Sequence, residues 1–516
     1  MRLSLDRLAI HPVLLGAYFV LFLYAENLLL VRPVEVVEPL AWAIGGSTLL
    51  LLVASAVLRS WTRGALVASA LVVSYMAYGH VAEVIGDAVP VPAMILAWLL
   101  LLGFAVVLAL YPRTPVGTLT GGLNLIAVVL LAFALSSIIP YNLQSAARAD
   151  DTHLQPSGLT ATRTTERDIY YLVYDRYGSA SSLAAEFDIT DNDLYDWLAQ
   201  RGFDVVPRGH ANYSRTTLSM ASVLNLDYLH DVAAHMGPHS RDQGPIHGML
   251  QDHVVGRFLR EQGYRYIHVG SWFNPTRHAR LADEVLEFET ATEFEAVLYE
   301  TTAMPLLQEH LGGEEPVMPP ADRSHVDNAL FQFRALDRLL SDPGPKFVLA
   351  HVLLPHDPYV FDEDGAYISP AERADDPEAV QFGRQLEFTN RHIKGYLERL
   401  LDRPADQQPI IVLVADEGPF PARYRADWDN FDWADATPEE LEAKFGILQA
   451  YYLPPQPDQP ANVPEPYPTM TAVNAFRMVL GRYFGVDLPY LEDRAYTSRS
   501  PRYVYDLTEV THRLPR

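Results

Sequence analysis

The amino-acid sequence predicts two parts: a membrane domain of five transmembrane helices, and an extracytoplasmic α/β domain whose mostly parallel central sheet carries helices on both faces. Three observations predict this. The first part of the chain contains five long apolar stretches, the second part alternates short apolar runs with helical patterns, and the acidic excess lies in the second part. The chain has 516 residues, of which 49% are hydrophobic, so two or three folded units are expected.

The membrane domain is predicted from apolar stretches that each approach the ~20 residues needed to cross the hydrocarbon core. They cover Ile10–Val31, Leu40–Leu58, Ala65–Ile85, Val91–Tyr111 and Leu119–Ile139. Arginines mark alternate connections, namely Arg2, Arg7, Arg59, Arg63 and Arg113. Because basic loops stay cytoplasmic, we expect a multi-pass protein of the cytoplasmic membrane with its N-terminus inside and its second part outside.

The charge distribution excludes one class of partner. Residues 1–150 hold seven Lys+Arg and seven Asp+Glu, so the whole net charge of −25 falls on the remainder. A nucleic-acid partner is therefore not expected, because it requires a basic face. The chain has no Cys, which rules out disulfides, thiolate metal ligands and a thiol nucleophile.

Polar residues 143–167 show no apolar periodicity and are predicted to be a linker. The predicted organisation is thus a transmembrane domain over residues 1–142, the linker, and a catalytic domain over residues 168–516. Four apolar runs predict central strands in that domain: Asp168–Asp175, Tyr264–Ser271, Lys346–Leu354 and Pro409–Asp416. Helical patterns lie between them, for example Asp191–Arg201, Asn328–Leu340 and Glu387–Leu401, which is typical of a doubly wound fold.

Acidic and imidazole side chains gather at the predicted strand ends. Asp175 closes the first run, His351 and His356 lie in and after the third, and Asp416 with Glu417 closes the fourth. A single Asp at such a place is most often a turn former. Two such ends together with histidines favour a metal or phosphate-type site, because parallel strands present their carboxyl ends at one edge.

A run of hydroxyl side chains precedes a helical pattern in Asn212–Asn225 (NYSRTTLSMASVLN). A hydroxyl at a helix N-terminus is usually a cap, although free N–H groups there also favour an anion. Arg176 and Arg215 flank the predicted site and could clamp an anionic group, although at least one of them is expected in a surface ion pair.

Several motifs in one order extend over about residues 167–500: DIYYLVYDRYGS, NYSRTTLSMASVLNLDYL, HVLLPHDPYVFD, IIVLVADEGP, FGILQAYYLP and TAVNAFRMVLGRYFG. With the predicted topology, they resemble membrane-bound members of the sulfatase and alkaline phosphatase superfamily. Its phosphoethanolamine and phosphoglycerol transferases include the lipoteichoic acid synthases. The resemblance implies an alkaline-phosphatase-like fold and an enzyme that transfers or hydrolyses phosphate esters.

The resemblance also implies roles for individual residues. Asp175, Thr216, Asp416 and Glu417 correspond to a metal site, with Thr216 as the nucleophile and Thr217 as the fallback. His356 corresponds to a histidine near the transferred group, and His351 to a buried partner of the substrate site. The family places His where this chain has Glu417, and an oxygen ligand there favours Mn or Mg over Zn.

The sequence lacks the Cys/Ser-x-Pro-x-Arg motif that sulfatases convert to formylglycine, so ordinary sulfatase chemistry is not expected. The leading hypothesis is metal-dependent transfer of a phosphodiester headgroup, such as phosphoethanolamine or phosphoglycerol, to a membrane lipid or a lipid-linked glycan of the envelope. Two alternatives remain open at this point. One is a membrane-anchored phosphatase or phosphodiesterase, and the other is a catalytically degenerate scaffold of the envelope.

Overall fold

A computed structural model of the chain describes residues 8–28, 31–85, 89–151, 157–288, 292–311, 321–428, 430–456, 460, 462–500 and 502–515. Arg2 and Arg7, used above for the topology, and residues 152–156 of the predicted linker lie outside these ranges. The chain forms two compact units. The first comprises residues 1–151 and 291–321, and the second comprises residues 152–290 and 322–516.

Apolar helices build the first unit. They are α1 His11–Glu26, α2 Pro33–Leu58, α3 Trp61–Met76, α4 Tyr78–Ile85, α5 Val91–Leu110 and α6 Val116–Asp151. Among the described residues, α2, α5 and the Val116–Leu143 part of α6 are long and apolar enough to cross a membrane. Helices α3 and α4 reach that length only as a pair bent by 48°, and α1 is shorter, with 16 residues. The chain is a multi-pass membrane protein, and its described residues contain three helices, or four with the bent pair, that are long and apolar enough to span a membrane, where five were predicted.

Two further helices join the first unit from a distant part of the sequence: α13 Glu293–Thr301 and α14 Met304–Leu311. Phe294 of α13 is 2% exposed and belongs to the apolar core of this unit. The backbone N–H of Ala303 donates to the carbonyl oxygen of Tyr75 at 2.7 Å, close to the bend between α3 and α4. The predicted boundaries place this segment in the external domain, and helix α6 also continues past the predicted boundary at residue 142.

A seven-stranded sheet forms the centre of the second unit, in the order β2-β7-β6-β1-β5-β3-β4. Its strands are β1 Ile169–Tyr174, β2 Asp204–Val205, β3 Arg265–Val269, β4 Glu284–Leu286, β5 Lys346–Val352, β6 Ile410–Val414 and β7 Gln449–Tyr452. Strands β6, β1, β5, β3 and β4 are mutually parallel, and β7 is antiparallel to both β6 and β2. A separate antiparallel hairpin consists of β8 Tyr496–Ser500 and β9 Tyr503–Glu509.

Helices accompany these strands in the second unit. They are α7 Ala180–Phe187, α8 Leu194–Gln200, α9 Thr216–Asn225, α10 His230–Met236, α11 Gly244–Gln251, α12 Val254–Glu261, α15 Ala321–Leu339, α16 Pro370–Arg373, α17 Glu378–Leu401, α18 Ala422–Ala426, α19 Pro438–Phe445 and α20 Asn474–Phe484. Short 3-10 helices occur at Asn274–Thr276, Trp433–Asp435 and Thr511–Arg513.

The central strands are continuous apolar runs because both of their faces are covered. Every residue of β1 (IYYLVY) and of β6 (IIVLV) is buried. The register places Val173 of β1 opposite His351 of β5 on one side and Val414 of β6 on the other. The mostly parallel α/β fold and its four central strands are therefore confirmed, and their carboxyl ends meet at one edge of the sheet.

Candidate active site

Three side chains converge at that edge. Asp175 follows the last residue of β1, Asp416 lies two residues beyond β6, and His351 is the penultimate residue of β5. One potential ligand atom of each lies within 4.8 Å of the others, and this is the one such cluster of potential metal ligands among the described residues. The His351 Nε2 atom lies 3.6 Å from Asp175 Oδ2. The three residues come from three separate strands, so the fold of the sheet brings them together.

These ligand atoms are buried without partners. Asp175, His351 and Asp416 are each at most 3% exposed, and Asp175 Oδ1, His351 Nε2 and Asp416 Oδ2 have no hydrogen-bond partner. Burial, with the nearby Asp416 carboxylate, raises the pKa of Asp175 well above its ordinary value. Burial also lowers the pKa of His351 to about 3, so this imidazole is neutral at pH 7. Two carboxylates and a neutral imidazole fit a divalent cation, which would compensate their desolvation.

The imidazole of His351 is oriented by a loop that follows β3. Its Nδ1 atom lies 2.8 Å from Thr276 Oγ1, and that hydroxyl lies 2.8 Å from Ser271 Oγ. This contact turns the opposite ring atom, Nε2, towards Asp175. A hydrogen bond at the second nitrogen is the usual way in which proteins fix a metal-binding histidine.

The predicted nucleophile begins helix α9. Thr216 is the first residue of that helix, and the preceding Arg215 makes no side-chain cap. The hydroxyl of Thr216 lies close enough to the Asp416 carboxylate to lower its pKa, which partly offsets the burial that raises the pKa of Asp416. Thr216 is half-buried, whereas Thr217 is only 7% exposed. The geometry therefore gives Thr216 access to the edge at which the cluster lies.

Glu417 is buried next to Asp416 but is engaged elsewhere. Its Oε1 atom lies 2.7 Å from Lys444 Nζ and 3.5 Å from Arg176 Nε. Lys444 is fully buried, donates to the Gly418 carbonyl oxygen at 3.1 Å, and lies 3.3 Å from the centroid of the Phe420 ring. Burial lowers the pKa of Lys444 to about 7, although Glu417 opposes this shift. Glu417 is not a member of the cluster formed by Asp175, His351 and Asp416.

The two arginines proposed as an anion clamp already have protein partners. Arg176 forms an ion pair with Asp357, and its guanidinium lies 4.6 Å from the Phe420 ring centroid. Its φ of 58° is left-handed, which is uncommon for a side chain of this size. Arg215 donates to the Tyr424 hydroxyl at 3.0 Å, and its Nε has no hydrogen-bond partner.

His356, the histidine predicted to lie near the transferred group, is also beyond the end of β5. The Nδ1 atom of His356 contacts the backbone oxygen of Asp357, and the His356 side chain is 26% exposed. Asp357 is in turn the ion-pair partner of Arg176. His356 is thus connected to the main cluster through this arginine, which follows Asp175 directly.

A cavity of about 890 Å³ lies at the opposite edge of the sheet, where β1 and β5 begin. Asp168 in its lining accepts from Lys346 Nζ at 2.6 Å and from Arg403 Nη1, another lining residue, at 3.0 Å. Among the described residues, no buried side-chain atom without a partner belongs to this lining, so the cavity is a poor candidate for the reaction site.

Two contributors to the site were not predicted. Thr276 has no motif signal, because its contact with His351 depends on a loop 75 residues earlier in the chain. Lys444 directly precedes the apolar segment FGILQAYYLP, and a lysine at the margin of a buried strand is the signal that could have found it.

Residues 185–439 match the model of the Sulfatase family, a range that includes Thr216, His351 and Asp416. None of the curated protein sequences matches this chain. Three solved structures illustrate the folds to which this chain is similar. The first is the zinc complex of the C-terminal periplasmic domain of EcEptC from Escherichia coli, with 10% identity, coverage of 70% of this chain and 98% of that chain, and a TM-score of 0.44. The second is the integral membrane lipooligosaccharide phosphoethanolamine transferase A (EptA) from Neisseria meningitidis, with 13% identity, coverage of 94% of this chain and 96% of that chain, and a TM-score of 0.39. The third is the lipoteichoic acid synthase LtaP from Listeria monocytogenes, with 10% identity, coverage of 68% of this chain and 80% of that chain, and a TM-score of 0.38.

The matched range spans strands β2 to β6, whereas β1 and Asp175 precede it. A domain of this kind indicates a hydrolase or transferase that acts on phosphate or sulfate esters. This membrane protein therefore contains a sulfatase-family domain over residues 185–439, most of which belong to the second unit.

Proposed function

We propose that this protein transfers a phosphodiester headgroup to an envelope lipid or lipid-linked glycan, with Thr216 as the nucleophile and a divalent metal ion as the cofactor. The observation that carries the proposal is the cluster of buried, unpartnered ligand atoms on Asp175, His351 and Asp416, with the Thr216 hydroxyl close enough to lower the pKa of Asp416. A domain that served only as a scaffold would gain nothing from such a cluster, because uncompensated burial of carboxylates is costly.

The metal would be held by Asp175, His351 and Asp416, and Zn, Mn and Mg are all compatible with this mixed oxygen and nitrogen set. When bound, it supplies charge that neutralises phosphoryl oxygens and favours an ionised hydroxyl. Thr216 Oγ attacks the phosphorus in line, so that a P–O bond to Thr216 forms while the bond to the donor's leaving oxygen breaks. We propose that His356 carries the proton from the Thr216 hydroxyl to that leaving oxygen.

In the second half of the reaction, a hydroxyl of the acceptor attacks the phosphothreonine and releases Thr216. Arg176 and Arg215 surround the Phe420 ring on the same side of the site, where they would orient the anionic group. The predicted location is the outer face of the cytoplasmic membrane, because a lipid donor or acceptor keeps its headgroup at the bilayer surface. Water in place of the acceptor would make the same residues a phosphodiesterase.

The test is to trap the covalent intermediate. The purified full chain is incubated in vesicles that contain equal parts of phosphatidylethanolamine and phosphatidylglycerol, and its peptides are mapped by mass spectrometry. We expect a headgroup adduct on Thr216, no adduct in Thr216→Ala, and turnover reduced at least about 1,000-fold in that variant. Thr217→Ala is the matched control and should retain the adduct.

The products distinguish transfer from hydrolysis. A headgroup recovered on a second lipid or glycan indicates transfer, whereas a free headgroup phosphate indicates a phosphodiesterase. An adduct that persists in Thr216→Ala, or its absence from the wild-type chain loaded with Mn²⁺ or Zn²⁺, would contradict the proposed nucleophile.

A further inference from the structure

The pair formed by Glu417 and Lys444 is the least expected feature beside the cluster. Glu417 directly follows Asp416, yet its Oε1 atom is held by Lys444 Nζ at 2.7 Å, with Arg176 Nε at 3.5 Å. Both side chains of the pair are at most 3% exposed. Removal of one partner from a buried ion pair strongly destabilises the folded protein, because the other charge is left uncompensated. The pair therefore holds both groups in place.

Lys444 is itself fixed on several sides. Its ammonium donates to the Gly418 carbonyl oxygen at 3.1 Å and lies 3.3 Å from the Phe420 ring centroid. The helix that carries it, α19, packs against α7. An added Cβ on Gly418 would approach the Ala443 carbonyl oxygen at 2.2 Å, so the chain before Lys444 lies directly against the chain after Glu417. Lys444 thus cannot withdraw from Glu417 without rearranging this contact.

We propose that Lys444 is a positioning residue that keeps the Glu417 carboxylate out of the metal coordination, so that His351 supplies the third protein ligand. This inference rests on the proposed metal-dependent function. It assigns Glu417 a role different from the ligand role that the sequence resemblance implies.

Two observations support this division of roles. The cluster of mutually close ligand atoms contains His351 and does not contain Glu417. Glu417 Oε2 has no hydrogen-bond partner and could bind a cation, but the ion pair between Oε1 and Lys444 holds the carboxylate in place. With Glu417 excluded, two carboxylates face a divalent cation and their charges balance. With Glu417 included, a third carboxylate would weaken the cation's action on a phosphate ester.

The test measures metal affinity rather than turnover. Mn²⁺ is titrated into the purified, metal-free full chain, with a competing fluorescent chelator as the reporter. We expect Asp416→Asn to weaken binding at least about 100-fold and Glu417→Gln to change it less than about threefold. Lys444→Met frees a carboxylate for the cation and should tighten binding about tenfold, and Glu417→Gln in addition should cancel that gain.

Lys346→Met is the matched control. Lys346 is also fully buried and also contacts a carboxylate, Asp168, at 2.6 Å, but it lies at the opposite edge of the sheet. We expect this variant to lose stability without any change in Mn²⁺ affinity. An affinity change in Lys444→Met no larger than that in Lys346→Met would overturn the positioning role.

The Co²⁺ form tests the ligand set without altering Lys444. The d–d absorption of the Co²⁺-loaded wild type and of Glu417→Gln should coincide in position and intensity, and that of His351→Gln should differ. If Glu417→Gln instead weakens Mn²⁺ binding as Asp416→Asn does, or changes the Co²⁺ spectrum, Glu417 is a ligand and the inference is wrong. Metal binding that follows the prediction in a chain that forms no Thr216 adduct would separate this inference from the proposed reaction.

Discussion

Buried carboxylates are compensated by cations at one edge of the central sheet and left uncompensated at the other. At the edge where the strands begin, Asp168 accepts hydrogen bonds from Lys346 and Arg403, and its carboxylate is fully compensated. At the edge where they end, Asp175 and Asp416 face each other and His351 with free ligand atoms. The ion pairs at the first edge stabilise the fold. At the second edge, the uncompensated carboxylates destabilise the metal-free fold, and a bound cation would offset this destabilisation.

The lysines repeat this contrast on a smaller scale. Lys346 and Lys444 are both fully buried and both lie within 2.7 Å of a carboxylate oxygen. Lys346 is paired with a residue that precedes a strand, and Lys444 with one that follows a strand. The same kind of ion pair therefore stabilises the fold at one edge and restrains a carboxylate beside the candidate site at the other.

The largest expected effect on stability follows from neutralising Asp168, the carboxylate at the edge where the strands begin. Asp168→Asn leaves Lys346 and Arg403 without their carboxylate, and we expect the free energy of unfolding to fall by about 3–5 kcal/mol. Asp175→Asn removes a carboxylate that burial and Asp416 disfavour, so the metal-free chain should become more stable, by about 1 kcal/mol. Thermal unfolding of the metal-free protein measures both, and two shifts of the same sign would break the comparison.

The pH dependence of stability gives a second test of the contrast between the two edges of the sheet. The folded-state pKa of Asp175 is raised, so its contribution is present below the unfolded value of about 3.9 and is lost as pH rises through the folded pKa. We therefore expect the thermal midpoint of the metal-free chain to fall from acidic to neutral pH, and Mn²⁺ to restore it at neutral pH. Asp175→Asn should flatten this slope, and an equal slope in that variant would contradict the assignment.

The smallest effect concerns the aromatic ring between the cations. Phe420 contacts Arg176, Arg215 and Lys444, and Phe420→Leu removes cation–π contacts worth about 0.5–1 kcal/mol each at most sites. We expect KM for bis(4-nitrophenyl) phosphate to rise about threefold with kcat nearly unchanged. Phe187→Leu, which removes a ring beside Arg425, is the matched control and should leave KM unchanged.

The sequence predicts the frame of the site because that frame depends on local patterns. Apolar runs locate the central strands, and polar residues that end them place Asp175 and Asp416 at one edge. Helix α9 begins at Thr216, as the hydroxyl-rich segment suggested.

What the sequence does not predict depends on contacts between distant segments. The direction of the His351 side chain is set by strand register and by Thr276, and Glu417 meets Lys444 only after an intervening loop and helix. The segment that carries α13 and α14 has an ordinary helical pattern, and its place in the first unit arises from packing of Phe294. None of these contacts leaves a periodic trace in the residues involved.

The most direct measurement is anomalous X-ray scattering from crystals of the full chain grown with Mn²⁺ or Zn²⁺. We predict one strong peak at the carboxyl edge of the sheet, within ligand distance, about 2.0–2.3 Å, of Asp175, His351 and Asp416. A peak bonded to Glu417 in place of His351, or the absence of a peak at this edge, would contradict the proposed metal centre.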